Sequence, residues 1–243
     1  MRNINPKLIA LIPARSGSER VKNKNIKILG KLPLIAYTIK SAKKSKIFDR
    51  IIVSTDSIKY QLISKKFGAE VPFLRPKKIS RSNSPDYDWV NFTIKKLLKD
   101  ENNQYTHFFI LRPTSPFRSS KTIIRAWKLF NKNKNTESLR AVEICKQHPY
   151  KMWIKNKYFI NPLFNRKKFL QPFYNMQFKS LPKIYVQNAS LEISKISVLD
   201  KYKTITGKKI IPFFTKDYEG FDINSNYDFE YAKYLTKNKK VKN

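Results

Sequence analysis

The sequence alternates short apolar runs with amphipathic segments, and this alternation limits the fold more than any other feature. Residues 8–12 form a continuous apolar run, which is typical of a strand buried on both faces of a parallel sheet. A polar loop follows, and apolar side chains then recur at helical spacing within residues 34–46. Repeated β-α units of this kind predict an α/β fold with a doubly wound, mostly parallel sheet.

The pattern continues to near the end of the chain. The predicted strands are 8–12, 50–54, 71–74, 107–111, 139–145, 184–193 and 209–214. The predicted helices lie within 34–46, 58–67, 90–98 and 123–130, with a last one after Asn224, and Gly68 is the expected C-cap of the second. Residues 148–182, rich in aromatics, Asn and Pro, break the pattern. We therefore predict one domain over 1–243 with an insertion at 148–182 and a basic tail at 237–243.

Cysteine and histidine are too scarce for several classes of protein. The single cysteine, Cys145, excludes a disulfide framework and a cysteine zinc site, and two histidines are too few for a His-rich metal centre. No apolar run approaches the length that crosses a membrane, and the first residues have no apolar core of a signal peptide. We expect a cytoplasmic protein without a membrane segment.

The charge is strongly positive, with 51 Lys and Arg against 17 Asp and Glu and a net charge of +34. Such a charge suggests a nucleic-acid partner. However, 40 of the 51 cations are lysines spread along the whole chain, and no basic stripe with interleaved aromatics is evident. We therefore expect a lysine-rich solvated surface and no specific nucleic-acid partner.

The arginines are distributed differently from the lysines. Five of the 11 lie in loops or at predicted strand ends: Arg15, Arg20, Arg75, Arg112 and Arg118. A guanidinium group binds phosphate or carboxylate with a planar fork. Ligands of doubly wound sheets bind at the carboxyl ends of the strands. The loops after the strands 8–12, 71–74 and 107–111 should therefore share one edge and bind an anion there.

The loop 13–25 has the composition of a phosphate-binding loop. Gly17 allows close approach of the backbone to a ligand, and Ser16 and Ser18 add hydroxyl donors. Its cations are Arg15, Arg20, Lys22 and Lys24. The loop could cradle a triphosphate, but it has neither the P-loop nor the GxGxxG spacing. On composition alone, a solvated basic loop is an equally valid interpretation.

Several motifs together resemble the acylneuraminate cytidylyltransferases. They lie, in the family's order, at residues 11–18, Lys24-Asn25, 31–35, 48–56, 75–76, 113–116, 148–151 and 221–224. The resemblance implies a nucleotide-diphospho-sugar transferase-like fold. It also implies a reaction in which the anomeric hydroxyl of an acidic nine-carbon sugar attacks the α-phosphate of CTP and displaces pyrophosphate. An eight-carbon ulosonic acid is the alternative sugar, and a basic nucleic-acid-binding module is the alternative class.

The resemblance also implies roles for individual residues. Arg15 and Lys24 would hold the triphosphate and act in catalysis together with Asp222. The nucleotide would further contact Ser16, Gly17, Ser18, Asn25 and Arg75. The sugar side would include Arg112, Lys151 and Asn188. Asp222 and Asn224 would bind Mg²⁺, or Mn²⁺, and the insertion would form a homodimer.

The chain departs from the family's pattern at four positions. Arg112 stands where the family usually has Gln, Asp86 where it often has Ser, and Glu192 where it usually has Tyr. These three positions belong mainly to the sugar side, and from them we predict that Arg112 binds the sugar's carboxylate or a phosphate oxygen. Asn224 replaces the second Asp of an Asp-x-Asp motif, so the metal site loses one carboxylate.

Five polar residues also have plain structural interpretations. Asp222 and Asn224 could cap the last helix. Asp56 could cap the helix that follows it, or assist at the metal or the base. His148 could shape its loop or contact a ligand, whereas His107 alternates within an apolar strand and is expected in the core.

Overall fold

The computed structural model describes residues 6–100, 105–164, 172–238 and 240–241. The strands are β1 (Leu8–Pro13), β2 (Ile28–Leu29), β3 (Leu32–Pro33), β4 (Arg50–Ser54), β5 (His107–Ile110), β6 (Ser138–Ile144), β7 (Trp153–Asn156), β8 (Phe159–Pro162), β9 (Tyr185–Lys195) and β10 (Ile210–Phe214). The α-helices are α1 (Leu34–Ser45), α2 (Ile58–Lys66), α3 (Asp86–Asp100), α4 (Ser120–Lys132), α5 (Ser197–Tyr202) and α6 (Asn226–Lys237).

The main sheet has six strands in the order β10-β6-β9-β5-β1-β4. Strand β1 pairs in parallel with both β4 and β5, whereas β9 runs antiparallel to β5. Along β1, Ala10 and Ile12 pack into a core shared with α1 and α4, while Ile9 and Leu11 pack into a core shared with α3. Helices thus cover both faces of the sheet, and the predicted α/β fold is confirmed.

The prediction of a strand at 71–74 was wrong. Before this segment, Glu70 makes an isolated parallel bridge to Ile52, and its backbone N–H donates to the Ile51 carbonyl at 2.8 Å. Pro72 has no N–H to donate to a ladder, so pairing cannot continue past it. The pattern also missed the hairpins β2-β3 and β7-β8 and the helix α5, because each is too short for a clear period.

The chain divides into two compact units, Met1–Ala141 with Asn188–Asn243, and Val142–Gln187. The predicted insertion at 148–182 falls inside the second unit. Its loop is organised by the buried His148, whose Nε2 is 2.9 Å from the Pro182 carbonyl oxygen. His148 Nδ1 accepts from the Tyr150 backbone N–H at 3.2 Å. Both ring nitrogens are therefore used within the loop, which supports its shaping role.

The remaining structural expectations concern the core, the tail and the membrane. His107 packs edge-on against Trp127 and Phe130, and burial with the nearby charge of Lys195 lowers its pKa to about 4. Cys145 is buried. Of the predicted basic tail, Lys237 ends α6, and residues 239, 242 and 243 lie outside the described residues. No helix in the described part of the chain is both long and apolar enough to cross a membrane.

Candidate active site

Three loops at the carboxyl edge of the sheet surround a cleft of about 410 Å³. They are the segments 13–25 after β1, 75–89 before and within α3, and 112–114 after β5. The cationic side chains that line it are Arg15, Arg20, Lys24, Arg75, Arg81 and Arg112. We call this cavity the arginine cleft. The prediction that these loops share one edge is confirmed.

The loop 13–25 is held in place by a carboxylate from the end of β4. The Ser16 backbone N–H donates to Asp56 Oδ1 at 2.8 Å, and the Ser16 hydroxyl donates to Asp56 Oδ2 at 2.9 Å. On the other side of the loop, the buried Asn25 donates its amide N–H to the Arg15 carbonyl at 3.2 Å. Both Ser16 and Asn25 therefore bind the protein itself and fix the loop. Asp56 does not cap α2, because the N-cap is Ser57.

Arg15 folds back over the turn that follows it. Its guanidinium donates to the Gly17 carbonyl, and a Cβ atom on Gly17 would lie 3.3 Å from Arg15 Nη1. The Ser18 N–H donates to the Ser16 carbonyl at 2.9 Å, and Ser18 lines the cleft. A side chain at position 17 would therefore crowd the Arg15 guanidinium, and Arg15 lines the cleft.

Lys24 joins this loop to the segment 222–224. Its ammonium group donates to the Ile223 carbonyl at 2.7 Å, and the Ile223 N–H donates to the Thr114 carbonyl at 2.9 Å. Burial lowers the pKa of Lys24, the charge of Asp222 raises it in part, and Arg20 and Arg15 lower it further. The segment 222–224 is therefore fixed between two residues that line the arginine cleft.

Asp222 has a carboxylate oxygen that no hydrogen bond within the described residues satisfies. Its Oδ1 is buried without a hydrogen-bond partner among the described residues, and its Oδ2 accepts from Asn224 Nδ2 at 2.5 Å. Arg20 Nη2 donates to the Asn224 side-chain oxygen, Oδ1, at 3.4 Å. Neither residue caps α6, whose N-cap is Ser225 in a capping box with Asp228. A buried polar atom without a partner is costly, so Oδ1 is suited to a ligand.

Asp222 and Asn224 fit a divalent cation that takes few of its ligands from the protein. Mg²⁺ takes oxygen ligands and is commonly held by one or two carboxylates together with substrate phosphates and waters. Asp222 Oδ1 supplies one such oxygen, while the Asn224 oxygen is turned toward a guanidinium. No group of three or more His, Cys, Asp and Glu that could hold a metal occurs within the described residues.

Arg75 is a buried cation fixed to the end of β4. Its Nε donates to the Ser54 hydroxyl at 3.0 Å and its Nη2 to the Ser54 carbonyl at 2.8 Å. The guanidinium also lies 4.9 Å from the Trp89 ring centroid. Burial lowers its pKa to about 10, although the charges of Asp56 and Asp86 act in the opposite direction. Arg75 stays protonated at neutral pH and forms a rigid part of the cleft wall.

Arg112 lines the cleft and lies between two carboxylates. Its Nη2 donates to Asp86 Oδ2 at 2.6 Å and to Glu192 Oε1 at 2.9 Å. Glu192 is paired in turn with Arg140. Three of the four departures from the family's pattern therefore meet in one ion network. Because Arg112 already has two anionic partners, this arrangement argues against a substrate carboxylate as its main partner.

Arg118 and Arg81 differ most from the sequence-based expectation. Arg118 is fully buried, where it donates to the Arg112 and Ser190 carbonyls and, at 2.8 Å, to the Thr38 hydroxyl. Burial lowers its pKa to about 9. It braces the loop after β5 and does not line the arginine cleft. Arg81, which does line it, was missed, although it follows Arg75 in the same loop.

Lys151 and Asn188 are not among the residues that line the cleft. Lys151 belongs to the second unit, where its ammonium donates to the Tyr174 carbonyl at 3.1 Å. The Asn188 amide donates to the Thr215 hydroxyl at 2.9 Å, and its oxygen accepts from the Ser190 N–H at 3.2 Å. A sugar-binding role for either residue stays a prediction.

Fold and site together define a class of protein. A doubly wound sheet carries a cation-lined cleft at its carboxyl edge, beside an Asp222 oxygen that is buried without a hydrogen-bond partner among the described residues. This arrangement suits an enzyme that binds a polyphosphate and transfers part of it, a nucleotidyltransferase. A family model described as Cytidylyltransferase matches residues 9–238, and the chain belongs to that family.

Two relatives define the type of cytidylyltransferase more closely. The chain is 40% identical over 124 residues to an N-acylneuraminate cytidylyltransferase of Escherichia coli, a match that covers 51% of this chain and 28% of the relative. It is 32% identical over 232 residues to a CMP-N,N'-diacetyllegionaminic acid synthase of Campylobacter jejuni, with 94% of each chain covered. The protein is thus a nucleotidyltransferase of the acylneuraminate cytidylyltransferase type.

A solved structure supports the fold independently. A CMP:2-keto-3-deoxy-manno-octonic acid synthetase complexed with CTP superposes with a TM-score of 0.68. The match covers 96% of this chain and 99% of the other chain, at 12% sequence identity. At that identity the likeness shows the fold alone.

Proposed function

We propose that the protein transfers CMP from CTP to the anomeric hydroxyl of a nonulosonic acid. In this reaction a bond forms between the anomeric oxygen and the α-phosphorus. The bond from that phosphorus to the β-phosphate oxygen breaks, the hydroxyl loses its proton, and pyrophosphate leaves. The observation that carries the proposal is the arginine cleft in a chain of the cytidylyltransferase family.

The cleft supplies the positioning and charge neutralisation that phosphoryl transfer requires. Arg15 and Lys24 lie on one loop, and the hydrogen bonds of Asp56 and Asn25 fix that loop before any ligand binds. Fixed cations stabilise the charge that develops on the phosphates without a cost of reorganisation. We assign Arg15, Lys24 and Arg20 to the triphosphate, and Arg75 to the nucleoside end.

A divalent cation suits the same site. Mg²⁺ or Mn²⁺, when bound, neutralises phosphate charge and polarises the phosphoryl oxygen. Asp222 Oδ1 is the protein atom best placed to hold it, because it is buried without another partner among the described residues. Since Asn224 donates its amide to Asp222 and turns its oxygen to Arg20, we assign Asn224 a positioning role.

The relatives support an acidic 2-keto sugar but differ in which one. The names of the relatives and of the solved structure include N-acylneuraminate, N,N'-diacetyllegionaminic acid and an eight-carbon octonic acid. We favour a nine-carbon nonulosonic acid because the two sequence relatives carry such names, and the octonic acid rests on likeness of fold at 12% identity.

Pyrophosphate release tests this proposal directly. The protein is incubated with Mg²⁺, one of CTP, UTP, ATP or GTP, and one of three sugars: N-acetylneuraminic, N,N'-diacetyllegionaminic or 2-keto-3-deoxy-manno-octonic acid. We expect release with CTP and a nine-carbon sugar, and formation of the CMP-sugar by mass spectrometry. Equal rates with all four nucleotides, or release without any sugar, would contradict the proposal.

We also propose a homodimer formed through the second unit. Its hairpin β7-β8 exposes several apolar side chains, among them Tyr158 at 96%, Phe159 at 76% and Ile160 at 57% of their surface. Exposed apolar clusters of this kind mark protein interfaces. Light scattering on Phe159→Lys with Ile160→Lys should show a monomer where the unaltered chain shows a dimer.

We also propose a cytoplasmic location, which the proposed use of CTP as substrate supports.

A further inference from the structure

Two carboxylates, Glu19 and Asp86, line the arginine cleft among its six cationic side chains, and Asp86 is the one held by two other lining residues. Asp86 is the first residue of α3, and its side chain keeps 35% of its surface exposed. Trp89 and Arg112, which also line the cleft, both donate hydrogen bonds to it. Asp86 is therefore held at the cleft wall and remains open to a ligand.

The network around Asp86 keeps this carboxylate ionised and fixes its direction. Trp89 Nε1 donates to Oδ1 at 2.7 Å, and Arg112 Nη2 donates to Oδ2 at 2.6 Å. Burial alone would raise the pKa of Asp86, but the charge and hydrogen bond of Arg112, with that of Trp89, hold it below its usual value. Arg112 is itself held by Glu192, which pairs with Arg140.

A carboxylate in this state only accepts hydrogen bonds, and each oxygen can accept more than one. Oδ1 accepts from Trp89 and faces Arg112 Nη1 at 3.5 Å, whereas Oδ2 accepts only from Arg112 Nη2 among the described residues, so Oδ2 keeps acceptor capacity. An N–H of a substrate gains a charge-assisted bond there. A carbonyl oxygen in the same place meets a negative charge and loses its own hydrogen bond with water.

We propose that Asp86 selects substrates by accepting a hydrogen bond from a substrate N–H group; this rests on the proposed function. Two sources present that chemistry, the exocyclic amino group of cytosine and the amide N–H of an acylamino sugar. Trp89 contacts both Asp86, through its N–H, and Arg75, through its ring face. Since we assign Arg75 to the nucleoside, Asp86 lies one residue away from the proposed nucleoside site. Arg112, which the resemblance to the family assigns to the sugar side, also donates to Asp86.

Asp86→Asn tests the proposal, because a carboxamide offers both a donor and an acceptor. Asp88→Asn is the matched control: it removes the same charge from the same helical turn, at a residue that does not line the cleft. In the nucleotide arm, calorimetry compares the Kd of CTP and UTP without sugar. In the sugar arm, pyrophosphate release compares the KM of N-acetylneuraminic acid with that of its analogue carrying hydrogen in place of the acylamino group.

In the nucleotide arm, we expect the unaltered protein to have a Kd for CTP about tenfold or more below that for UTP, if the base is the source of the N–H. In the sugar arm, we expect a KM for N-acetylneuraminic acid about tenfold or more below that for its analogue, if the sugar is the source. Asp86→Asn should reduce that ratio to about twofold or less, and Asp88→Asn should leave it unchanged. A change in the nucleotide arm identifies the base as the source, and a change in the sugar arm identifies the sugar. Ratios in both arms that Asp86→Asn leaves unchanged would overturn the proposal.

A second variant covers the case in which the single substitution fails to fold. Asp86→Asn with Arg112→Gln removes one charge of each sign and leaves the pair of Glu192 and Arg140 intact. The same ratios are then measured. Absence of pyrophosphate release by the unaltered protein would contradict the proposed function. It would leave the role of Asp86 open to test, because calorimetry of CTP and UTP does not depend on turnover.

Discussion

The arginine cleft contrasts with a larger cavity elsewhere in the same unit. That second cavity has a volume of about 1,420 Å³ against about 410 Å³, and it lies between α1, α6, the hairpin β2-β3 and the start of α4. Its cationic side chains are Lys31, Lys40, Lys44, Lys121, Lys233 and Lys237, and we call it the lysine cleft. No arginine lines it within the described part of the chain.

The two cavities hold the same number of cations in different ways. All six lysines of the lysine cleft are exposed, and Lys233 pairs with Glu230 on its own helix. In the arginine cleft, protein hydrogen bonds fix several cations, as for Arg75 on Ser54 and Lys24 on Ile223. Preorganised charge stabilises a transition state, whereas mobile charge must first be ordered. The fixed cations therefore favour the arginine cleft as the candidate active site, although the lysine cleft is larger and has as many cations.

The largest effect should come from Asp222→Asn. This change keeps the size of the side chain but removes the carboxylate whose Oδ1 has no partner among the described residues. We expect turnover with CTP and Mg²⁺ to fall by more than ~100-fold, since the metal loses its main protein ligand.

Asn224→Asp should instead lower the Mg²⁺ concentration for half-maximal rate, because it adds a second carboxylate beside Asp222. Full activity of Asp222→Asn at limiting Mg²⁺ would place the metal elsewhere, with Asp56 the next candidate.

Arg15→Ala and Lys24→Ala should each lower kcat/KM by ~100-fold, or about 3 kcal/mol of transition-state stabilisation. Neither side chain belongs to the apolar core, so the thermal midpoint should change little. The matched control is Lys44→Ala, which removes the same charge from the lysine cleft. Equal losses in all three variants would mean that overall charge, and not position, attracts CTP.

Asp56→Asn should have an intermediate effect. It weakens the two hydrogen bonds from Ser16 that fix the phosphate-binding loop, while it keeps the shape of the side chain. We expect the KM for CTP to rise about tenfold with a smaller change in kcat, the cost of one charge-assisted hydrogen bond. Asp200→Asn, on the exposed surface of α5, is the control. An unchanged KM would show that the loop needs no anchor.

The smallest effect should follow from removing three lysines of the lysine cleft together, as in Lys40→Ala, Lys44→Ala and Lys233→Ala. These side chains are exposed, and surface changes of this kind usually alter stability by less than ~0.5 kcal/mol each. Turnover and the KM for CTP should stay within about twofold of the unaltered values. A loss as large as that of Arg15→Ala would move the nucleotide site to the lysine cleft.

The sequence by itself determined the fold class, most of the elements and the edge that carries the site. Periodicity suffices for these, because strands buried on both faces and amphipathic helices repeat over many residues, as in β1 and α1. It failed at 71–74, where one proline outweighs an apolar run, and at the short hairpins. The loop 13–25 was singled out for its glycine, hydroxyl and cationic residues. Arg75 was singled out because arginine is rare in this chain, but the same argument included Arg118, which does not line the cleft, and missed Arg81.

Only the tertiary structure decided what each polar side chain contacts. Arg112 and Arg118 look alike in the sequence, yet one joins an ion network with Asp86 and Glu192 and the other is buried against carbonyl groups. These partners lie up to 80 residues apart in the chain. Local sequence sets the backbone through short-range sterics and hydrogen bonds, but an ion pair or a hydrogen bond depends on distances that exist only after distant segments have packed together.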